Sequence, residues 1–465
     1  MVKFPEKQAG FKRYHVEVKE APWKTGCPPK FRVRVYNNCV NLQECVQACV
    51  FEAQRAGEDG RLAQPIDERC HGCHRCVLSC PKGAICVELN PEFEKRGNSY
   101  FTPEQIENIY FEAETGRIPV SGSGYGGSFA GKGFDGFWFD FSEIVRPTRD
   151  GIHGREHIST TVDLGRKPPS LVFKGSTLVS EPPRVVEIPV PIILDAPLSS
   201  SSDRSLTLAL AKAASMLDTF TILKAEDYFD DLSPYVFNLM PRIRSDRIME
   251  FSKLIESSRI IELHYLEEKA SEWKIRDYLK QVRKINPSII VCTRISNIDE
   301  VAEDAETLAK AGVEIIHIHV DECIIEREPD AIVNAIRSVH TRLVEKRVRD
   351  EVSIISSGGV AEAAHIPKSI ILGADAVAIG LAYQLALGCR VCYGDRHRDD
   401  CLMRVEDADI NLASQRIVNL VSAWRDQLLE VLGGMGLREV RRLRGELGRA
   451  IFYKELEEKV FGDSG

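Results

Sequence analysis

The chain has 465 residues, of which 43% are apolar and 28% are charged, and its formal net charge is −8. This length exceeds one ordinary hydrophobic core, so two or three domains are expected, and the composition indicates a soluble globular protein rather than a disordered one. The modest negative charge argues against nucleic acid as the main partner. The first residues have no apolar segment typical of a secretory signal, which predicts a cytoplasmic protein.

Fourteen cysteines in a chain without such a signal indicate metal binding rather than disulfides. Cys292 and Cys323 lie in apolar segments and are expected to be core thiols. Most of the others cluster at short spacing. We therefore expect thiolate ligands held in a reducing cell interior.

Residues 1–95 contain two such cysteine runs. The second, "CHGCHRCVLSCP", matches the iron–sulfur pattern C-x2-C-x2-C-x3-C-P. Its four cysteines are Cys70, Cys73, Cys76 and Cys80. The first run, "CVNLQECVQACV" at 39–50, has Cys39, Cys45 and Cys49 at the same spacing, but Leu42 stands at its second ligand position. The two runs predict a ferredoxin-like iron–sulfur domain, and a zinc knuckle is the alternative for the second run.

In a two-cluster ferredoxin the last cysteine of each run binds the cluster of the other run. This crossover predicts one 4Fe–4S cluster and one site with three thiolates, because leucine has no donor atom. The expected ligands of the complete cluster are Cys49, Cys70, Cys73 and Cys76, and those of the other site are Cys39, Cys45 and Cys80. The three-thiolate site predicts a 3Fe–4S cluster, or a 4Fe–4S cluster completed by Cys27, Cys86 or water. A single cluster held by the second run alone is the alternative.

Residues 96–184 are expected to connect this domain to the next and to wrap around it. A helix is predicted after Thr102, which is suited to cap a helix that begins with Pro103. The glycine-rich part that follows predicts loop. The polar segment after it is too varied in composition for a flexible linker.

Residues 185–410 alternate short β-branched runs with amphipathic helices, which indicates a parallel sheet covered on both faces. The apolar runs are "VPIILDAP", "FTILKAE", "RIIELHYL", "SIIVCTRI", "EIIHIHVDE", "VSIISSGG" and "DAVAIG". Seven or eight such units predict an α/β fold of the (β/α)8 TIM barrel type, with a doubly wound open sheet as the alternative. The apolar stretch 369–389 contains Gly373 and Asp375, so it predicts a buried strand and helix rather than a membrane span.

Residues 411–465 are predicted to be a helical extension. One apolar stripe runs along its first helix. The stripe consists of Ile417, Leu420, Val421, Trp424, Leu428 and Leu432.

The ends of the last two barrel strands suggest a phosphate site. Gly358 and Gly359 follow the seventh strand and Gly380 ends the eighth, and glycines there allow backbone N–H groups to approach a phosphate. Together with iron–sulfur clusters, such a site predicts FMN. The alternative is that the glycines serve only as turns. The predicted FMN-binding residues are Ala196, Arg294, Ser357, Gly358, Gly359, Gly380 and Leu381.

Other polar residues are expected at the carboxyl ends of the strands. Arg294 is placed to stabilise a reduced flavin near N1 and O2. His317 and His319 alternate on the sixth strand and are either catalytic or packed in the core. The predicted catalytic set is Lys224, Arg294, His317 and His319, with Glu226 and Asp321 beside it.

A third group of cysteines follows the last strand, in "GCRVCYGDRHRDDC". Cys389, Cys392 and Cys401 are expected to hold a further cluster, or zinc with His397 as fourth ligand.

Several segments resemble the flavin domain of glutamate synthase. They are "SEIVRPTRDGIHGRE…STTVDLGRKP", "VPIILDAPLSSSSDRSLTLALAKAA", "SSGG…ILGADAVAIGLAYQLALGC" and "LREVRRLRGELGRAIF". The chain is most similar to the archaeal-type, stand-alone glutamate synthase-related proteins, which often carry an N-terminal ferredoxin domain. The resemblance implies an FMN-binding barrel and a 3Fe–4S cluster in the three-cysteine loop.

The chain departs from that family at its substrate pocket. It has "LKAEDY" for a "TGEGG" type segment, "HVDECIIERE" for a "SGHDGGTGA" type loop, and Arg294 for a lysine. Its last cysteines are spaced C-x2-C-x8-C instead of C-x5-C-x4-C, which puts the cluster type in question. These departures suggest that the substrate has changed or disappeared. No cysteine follows Met1, so no amidotransferase nucleophile is expected in this chain.

The sequence therefore predicts an FMN- and iron–sulfur-dependent oxidoreductase that acts on CH–NH2 donors. Electrons would pass from ferredoxin-type clusters to FMN and then to an imine or keto acid. One alternative is an electron-transfer subunit with no organic substrate, and another is a barrel without flavin. The expected partners are ferredoxin or another redox subunit, and a separate amidotransferase subunit, in an oligomer or complex.

Overall fold

The computed structural model describes residues 14–119, 131–141, 157–168, 170–179, 183–196, 203–264, 271–389, 391 and 405–454. Cys392, Cys401 and His397 lie outside these ranges. Most of the segment "SEIVRPTRDGIHGRE" lies outside them as well.

The cysteine-rich N-terminal region is a small unit around one antiparallel strand pair. Strand β1 (Phe31–Val35) pairs with β2 (Ile85–Leu89), and between them lie two single-turn helices, α1 (Glu44–Ala48) and α2 (Arg75–Ser79). Its small core combines apolar side chains with two cysteines from the two helices. The buried core residues are Val33, Cys45, Cys76, Ile85 and Val87.

Two helices follow, α3 (Pro91–Glu94) and α4 (Pro103–Thr115). The predicted cap of α4 is confirmed, since Thr102 accepts from the Gln105 N–H and Gln105 bonds back to the Thr102 N–H. The expectation that the glycine-rich part is entirely loop is wrong, because Phe137–Phe139 forms strand β3. The apolar triplet "FWF" can pair there with a strand from the far end of the chain.

Four short strands precede the barrel: β4 (Val162–Arg166), β5 (Phe173–Lys174), β6 (Thr177–Leu178) and β7 (Arg184–Ile188). β4 pairs with β7, and the Gly165 N–H donates to Ser353 Oγ at 3.0 Å. Ser353 begins the seventh barrel strand, so this strand pair lies against the amino end of the barrel.

The predicted (β/α)8 barrel is confirmed as a closed sheet of eight parallel strands. The strands are β8 (Ile192–Asp195), β9 (Thr221–Lys224), β10 (Leu239–Arg244), β11 (Ile260–His264), β12 (Ile290–Ile295), β13 (Ile315–His319), β14 (Ser353–Ser357) and β15 (Ala376–Ile379). The helices between and after them are α5 (Arg204–Met216), α6 (Ser252–Ser257), α7 (Glu272–Ile285), α8 (Val301–Ala311), α9 (Glu322–Arg327), α10 (Ala331–Glu345), α11 (His365–Leu372) and α12 (Leu381–Ala386). β15 pairs with β8 and closes the barrel.

The seven apolar runs found in the sequence correspond to seven of the eight barrel strands, and β10 is the one that was not predicted. β10 has the sequence "LMPRIR", in which Pro241 and two arginines interrupt the apolar pattern. Pro241 nevertheless lies opposite Leu223 of β9 in the sheet. Stretch 369–389 begins with the end of α11 and continues as the buried strand β15 and helix α12. No helix among the described residues is long and apolar enough to cross a membrane.

The C-terminal helix α13 (Ile410–Gly434) buries every residue of the predicted stripe. It packs against α4 and α5, and the Trp424 indole donates to the buried Glu112 carboxyl of α4 at 2.8 Å. The predicted helical extension is confirmed in α13, and Ala450–Phe452 adds the short strand β16, which pairs with β3.

Candidate functional site

The cysteines of the N-terminal unit line two separate cavities. One cavity is lined by Cys39, Cys45 and Cys80 together with Leu42, among other residues. The other is lined by Cys49, Cys70, Cys73 and Cys76. Each set takes its last cysteine from the opposite run. The structure thus brings together the same two groups of thiols that the crossover pattern predicts.

The two runs share one backbone conformation, which explains the grouping. Asn41 and Gly72 have φ angles of 60° and 65°, and Gln43 and His74 have φ angles of 60° and 57°. A left-handed conformation thus stands on each side of the second ligand position. Leu42 occupies the place that Cys73 has in the other run, and 55% of its surface is exposed.

The buried thiols raise one another's pKa. Burial raises the pKa of Cys45, and nearby Cys39 and Cys80 raise it further. Burial likewise raises the pKa of Cys76, with Cys70 and Cys49 adding to the effect. Such a set is costly to ionise by itself, whereas iron ions supply the positive charge that thiolate ligands require. The residues present therefore fit iron–sulfur clusters.

The other cysteines have different surroundings. Cys27 packs against the large core, and burial raises its pKa to about 11. Cys86 lies on β2, opposite Arg34. Neither is among the residues that line the Leu42 cavity. Cys389 is partly buried against the barrel core.

The expectation for Cys292 and Cys323 is half right. Cys292 on β12 is fully buried, but Cys323 is exposed. Cys323 lies in the first turn of α9, where its N–H donates to Asp321 at 2.8 Å.

A buried polar network fills the carboxyl end of the barrel. Asp195 pairs with Arg242 at 3.0 Å and also with Arg294, and Arg242 pairs with Glu262. His317 Nδ1 lies 2.6 Å from Glu262, and its Nε2 lies 2.8 Å from Ser357 Oγ. With Arg294, His319 and Ser357 included, the network has residues on six of the eight barrel strands.

The charged groups of this network shift one another's pKa values. Burial acts to raise the pKa of Glu262, but Arg242 and Arg294 outweigh it, so its pKa lies well below the ordinary value. Arg294 and Arg242 likewise outweigh burial at Asp195, so its pKa is lowered. Burial and Arg294 lower the pKa of His317 and bring that of His319 to about 3. Both imidazoles are therefore neutral near pH 7.

His317 and His319 do lie on the same side of β13, since both contact Ser357 Oγ at 2.8 Å. Sequence reasoning missed Asp195, Arg242 and Glu262. A signal was present, because Arg242 and Glu262 are ionisable residues inside mostly buried strands and Asp195 ends one.

The remaining predicted residues have mainly structural contacts. Lys224 ends β9 and is partly buried. Glu226 pairs with Arg247 near the surface, and Asp321 caps α9. The Ala196 N–H donates to Ile222 at 2.9 Å. Gly380 and Leu381 begin α12, whose Tyr383 hydroxyl donates to the Asp195 carbonyl at 2.9 Å.

The loop after β14 was predicted to bind a flavin phosphate. Gly358 and Gly359 have φ angles of 109° and 68°, so both adopt a backbone conformation that favours glycine. Its Gly359 N–H, however, donates to the carboxylate of Glu322 at 3.2 Å. A Cβ on Gly358 would approach the Val320 carbonyl to 2.1 Å, which explains that glycine by packing alone. One N–H of the predicted phosphate loop is therefore bonded to a carboxylate of the same chain.

The chain matches known proteins over nearly its whole length. A family model for the conserved region in glutamate synthase matches residues 264–438. An archaeal-type glutamate synthase [NADPH] of Dehalococcoides mccartyi is 27% identical over 91% of this chain and 95% of its own. An archaeal glutamate synthase [NADPH] of Archaeoglobus fulgidus is 25% identical over 96% of this chain and 99% of its own.

Two other matches are more distant. The glutamate synthase [NADPH] large chain of Azospirillum brasilense is 25% identical, over 35% of this chain and 12% of its own. A crystal structure of mandelate oxidase matches with a TM-score of 0.44 and 12% identity, over 74% of this chain and 94% of its own.

Proposed function

Because the chain is a glutamate synthase-related protein, we propose that it is an iron–sulfur oxidoreductase component that receives electrons through its N-terminal unit. The observation that carries the proposal is the division of seven cysteines between two cavities. The names of the relatives, glutamate synthase [NADPH], support redox chemistry.

The two cavities would hold clusters of different type. Cys49, Cys70, Cys73 and Cys76 supply four thiolates for a 4Fe–4S cluster. Cys39, Cys45 and Cys80 supply three, which suits a 3Fe–4S cluster or a 4Fe–4S cluster with one iron bound by another ligand. Such clusters transfer single electrons when bound. The chain's own contribution is to hold the thiolates in groups, to keep Leu42 at the edge of one group, and to bury parts of both.

The physiological function would then be electron transfer within a redox complex. We propose a ferredoxin or another redox subunit as the donor, and a separate amidotransferase subunit as a further partner. The cluster expected at Cys389, Cys392 and Cys401 would extend the path, although two of these residues lie outside the described ranges.

A second candidate function is an FMN-dependent reduction of an imine or keto acid at the barrel. The relation to proteins named glutamate synthase supports it. The contact between Glu322 and Gly359 speaks against it, because an N–H group of the predicted phosphate loop already donates to a carboxylate of the chain. His317 and Ser357 are bonded to each other, whereas Nη1 of Arg294 is buried without a hydrogen-bond partner among the described residues, which favours a ligand at this end of the barrel.

The test is the iron, sulfide and FMN content of anaerobically purified protein, combined with its EPR spectrum. We expect about seven or eight irons in the N-terminal unit, in addition to any bound at the Cys389 loop, and a 3Fe–4S signal in the oxidised protein. Leu42→Cys should convert the three-iron signal to a four-iron one, and Cys39→Ser should remove it. If Leu42→Cys gains no iron and Cys39→Ser loses none, only one cluster forms and the two-cluster proposal fails. Flavin bound at one per chain would favour the second candidate.

A further inference from the structure

The loop after β14 keeps the backbone of an anion site but faces a carboxylate of the same chain. In barrels of this type, backbone N–H groups after the last strands bind phosphate. Here the Gly359 N–H donates to Glu322 Oε2 at 3.2 Å. At this distance the contact is an N–H···O hydrogen bond at the long end of the ordinary range.

Glu322 is brought to the loop by α9, which follows β13. Asp321 caps this helix through the Cys323 N–H, and Ile325, one turn further, is fully buried. A Cβ on Gly359 would lie 3.3 Å from Ile325, so the helix packs directly over the loop. The position of the Glu322 carboxylate is therefore set by packing of the whole helix and not by a free side chain.

The other side of the loop is also engaged. The Gly359 carbonyl accepts from the Tyr100 hydroxyl at 2.6 Å, and the Ala361 N–H donates to His365 Nδ1 at 3.1 Å. His365 Nε2 then donates to Asp135 at 3.1 Å. Lys368, on the same helix as His365, is paired with Asp135 at 3.2 Å. The positive charge of Lys368 is thus used within the protein.

The surroundings are acidic, which disfavours a second anion. Burial raises the pKa of Glu322 to about 7, the Gly359 N–H lowers it, and Asp321 and Asp195 raise it. Glu362 is buried three residues after Gly359. A phosphate dianion at the Gly359 N–H would have to displace the Glu322 carboxylate or lie beside it, and like charges in contact repel.

We infer that Glu322 is a built-in replacement for the phosphate, so that the folded barrel excludes phosphate-bearing cofactors and uses its glycine loop to anchor α9. This inference concerns the barrel alone. It does not depend on the iron–sulfur sites of the proposed function, whose failure would appear in the iron content and not here.

The first arm of the test is the wild-type protein with its clusters bound. Denaturation of the protein should release no more than a trace of FMN. Calorimetric titration of the folded protein with inorganic phosphate should give no saturable heat of binding. About one FMN per chain, or tight phosphate binding by the wild type, would overturn the inference.

The second arm removes the carboxylate. Glu322→Ala should expose the Gly359 N–H and bind inorganic phosphate at least about tenfold more tightly than the wild type, since one charged hydrogen-bond position becomes available and one repulsion is removed. The matched control is Glu328→Ala, which removes an exposed carboxylate at the other end of α9 and should leave phosphate binding unchanged.

Glu322→Ser is measured in the same way if the alanine variant does not fold, as judged by cluster absorbance and cooperative unfolding. Equal phosphate affinity in the Glu322 variant, the Glu328 variant and the wild type would show that the loop is not an anion site, and the inference would be wrong.

Discussion

The N-terminal unit and the carboxyl end of the barrel both gather polar side chains, but they do so in opposite ways. In the N-terminal unit, thiols from two runs converge on two cavities, and burial together with neighbouring thiols raises the pKa of Cys45 and Cys76. In the barrel, Asp195, Arg242 and Glu262 neutralise one another. The thiols remain without a compensating positive charge inside the protein, whereas the barrel carboxylates and guanidiniums already balance most of one another's charge.

The largest expected effect comes from breaking the crossover in the N-terminal unit. Cys49→Ser should remove the four-thiolate cluster although Cys49 belongs to the first run, because it lines the cavity of Cys70, Cys73 and Cys76. Cys80→Ser should instead remove the three-thiolate signal. The iron content and the EPR spectrum of each variant show which cluster is lost. Each variant should lose about three or four irons.

Cys86→Ser is the matched control, because Cys86 lies on β2 opposite Arg34 and does not line either cavity. Its iron content should equal that of the wild type. If Cys49→Ser instead removed the signal that Cys39→Ser removes, each run would hold its own cluster and the crossover would be wrong.

The second prediction breaks the balance in the barrel. Arg242→Met should destabilise the protein by roughly 3–5 kcal/mol, because it leaves part of the buried charge on Glu262 and Asp195 without its partner. Arg244→Met, two residues along β10, should change stability far less, since Arg244 pairs with Asp246 in solvent. Denaturant unfolding measures both. A loss for Arg242 no larger than that for Arg244 would mean that the network does not stabilise the barrel.

The cysteine groups and most barrel strands could be predicted because their signals are local. Ligand spacing lies within a dozen residues, and continuous β-branched runs mark buried parallel strands. Strand β10 was missed where Pro241 and two arginines broke such a run. One of these, Arg242, belongs to the buried network, so the feature that hid the strand is part of the site.

The contacts that decide the barrel chemistry are long-range. Asp195 and Arg294 are 99 residues apart, and Glu322 and Gly359 are 37 apart. The sequence around Glu322 could be recognised as unusual. The direction of its carboxylate, however, follows from the packing of Ile325, which also lies on α9, against the loop after β14. Sequence spacing carries no information about such a contact.

The third prediction concerns a buried carboxyl that lacks the cations of the barrel network. Burial raises the pKa of Glu112 to about 8, a trend that its Trp424 partner opposes and nearby Glu362 reinforces. The folded protein therefore holds a proton that the unfolded chain loses above pH about 4.5, and stability falls as the pH rises from there to about 8. Glu262 has the opposite shift because Arg242 and Arg294 face it.

Glu112→Gln should abolish this fall and stabilise the protein above pH 8 by on the order of 3 kcal/mol, with little change at pH 5. Glu114→Gln, an exposed position on the same helix, is the control and should follow the wild-type profile. Unfolding measured from pH 5 to 9 gives the comparison. Parallel profiles for wild type and Glu112→Gln would show that Glu112 is ionised in the folded protein.

The smallest expected effect separates the two regions by their glycines. Gly83 in the N-terminal unit and Gly358 in the barrel both have positive φ angles, of 56° and 109°. A Cβ on Gly83 meets nothing within 4 Å, so Gly83→Ala should cost only the strain of the left-handed backbone, about 1 kcal/mol. Gly358→Ala adds a clash with the Val320 carbonyl at 2.1 Å and should cost about 2 kcal/mol more. Denaturant unfolding with the clusters bound measures the difference. Equal costs would mean that the loop after β14 has room to move away from Val320, and a loop with that freedom could also release Glu322 and accept a ligand.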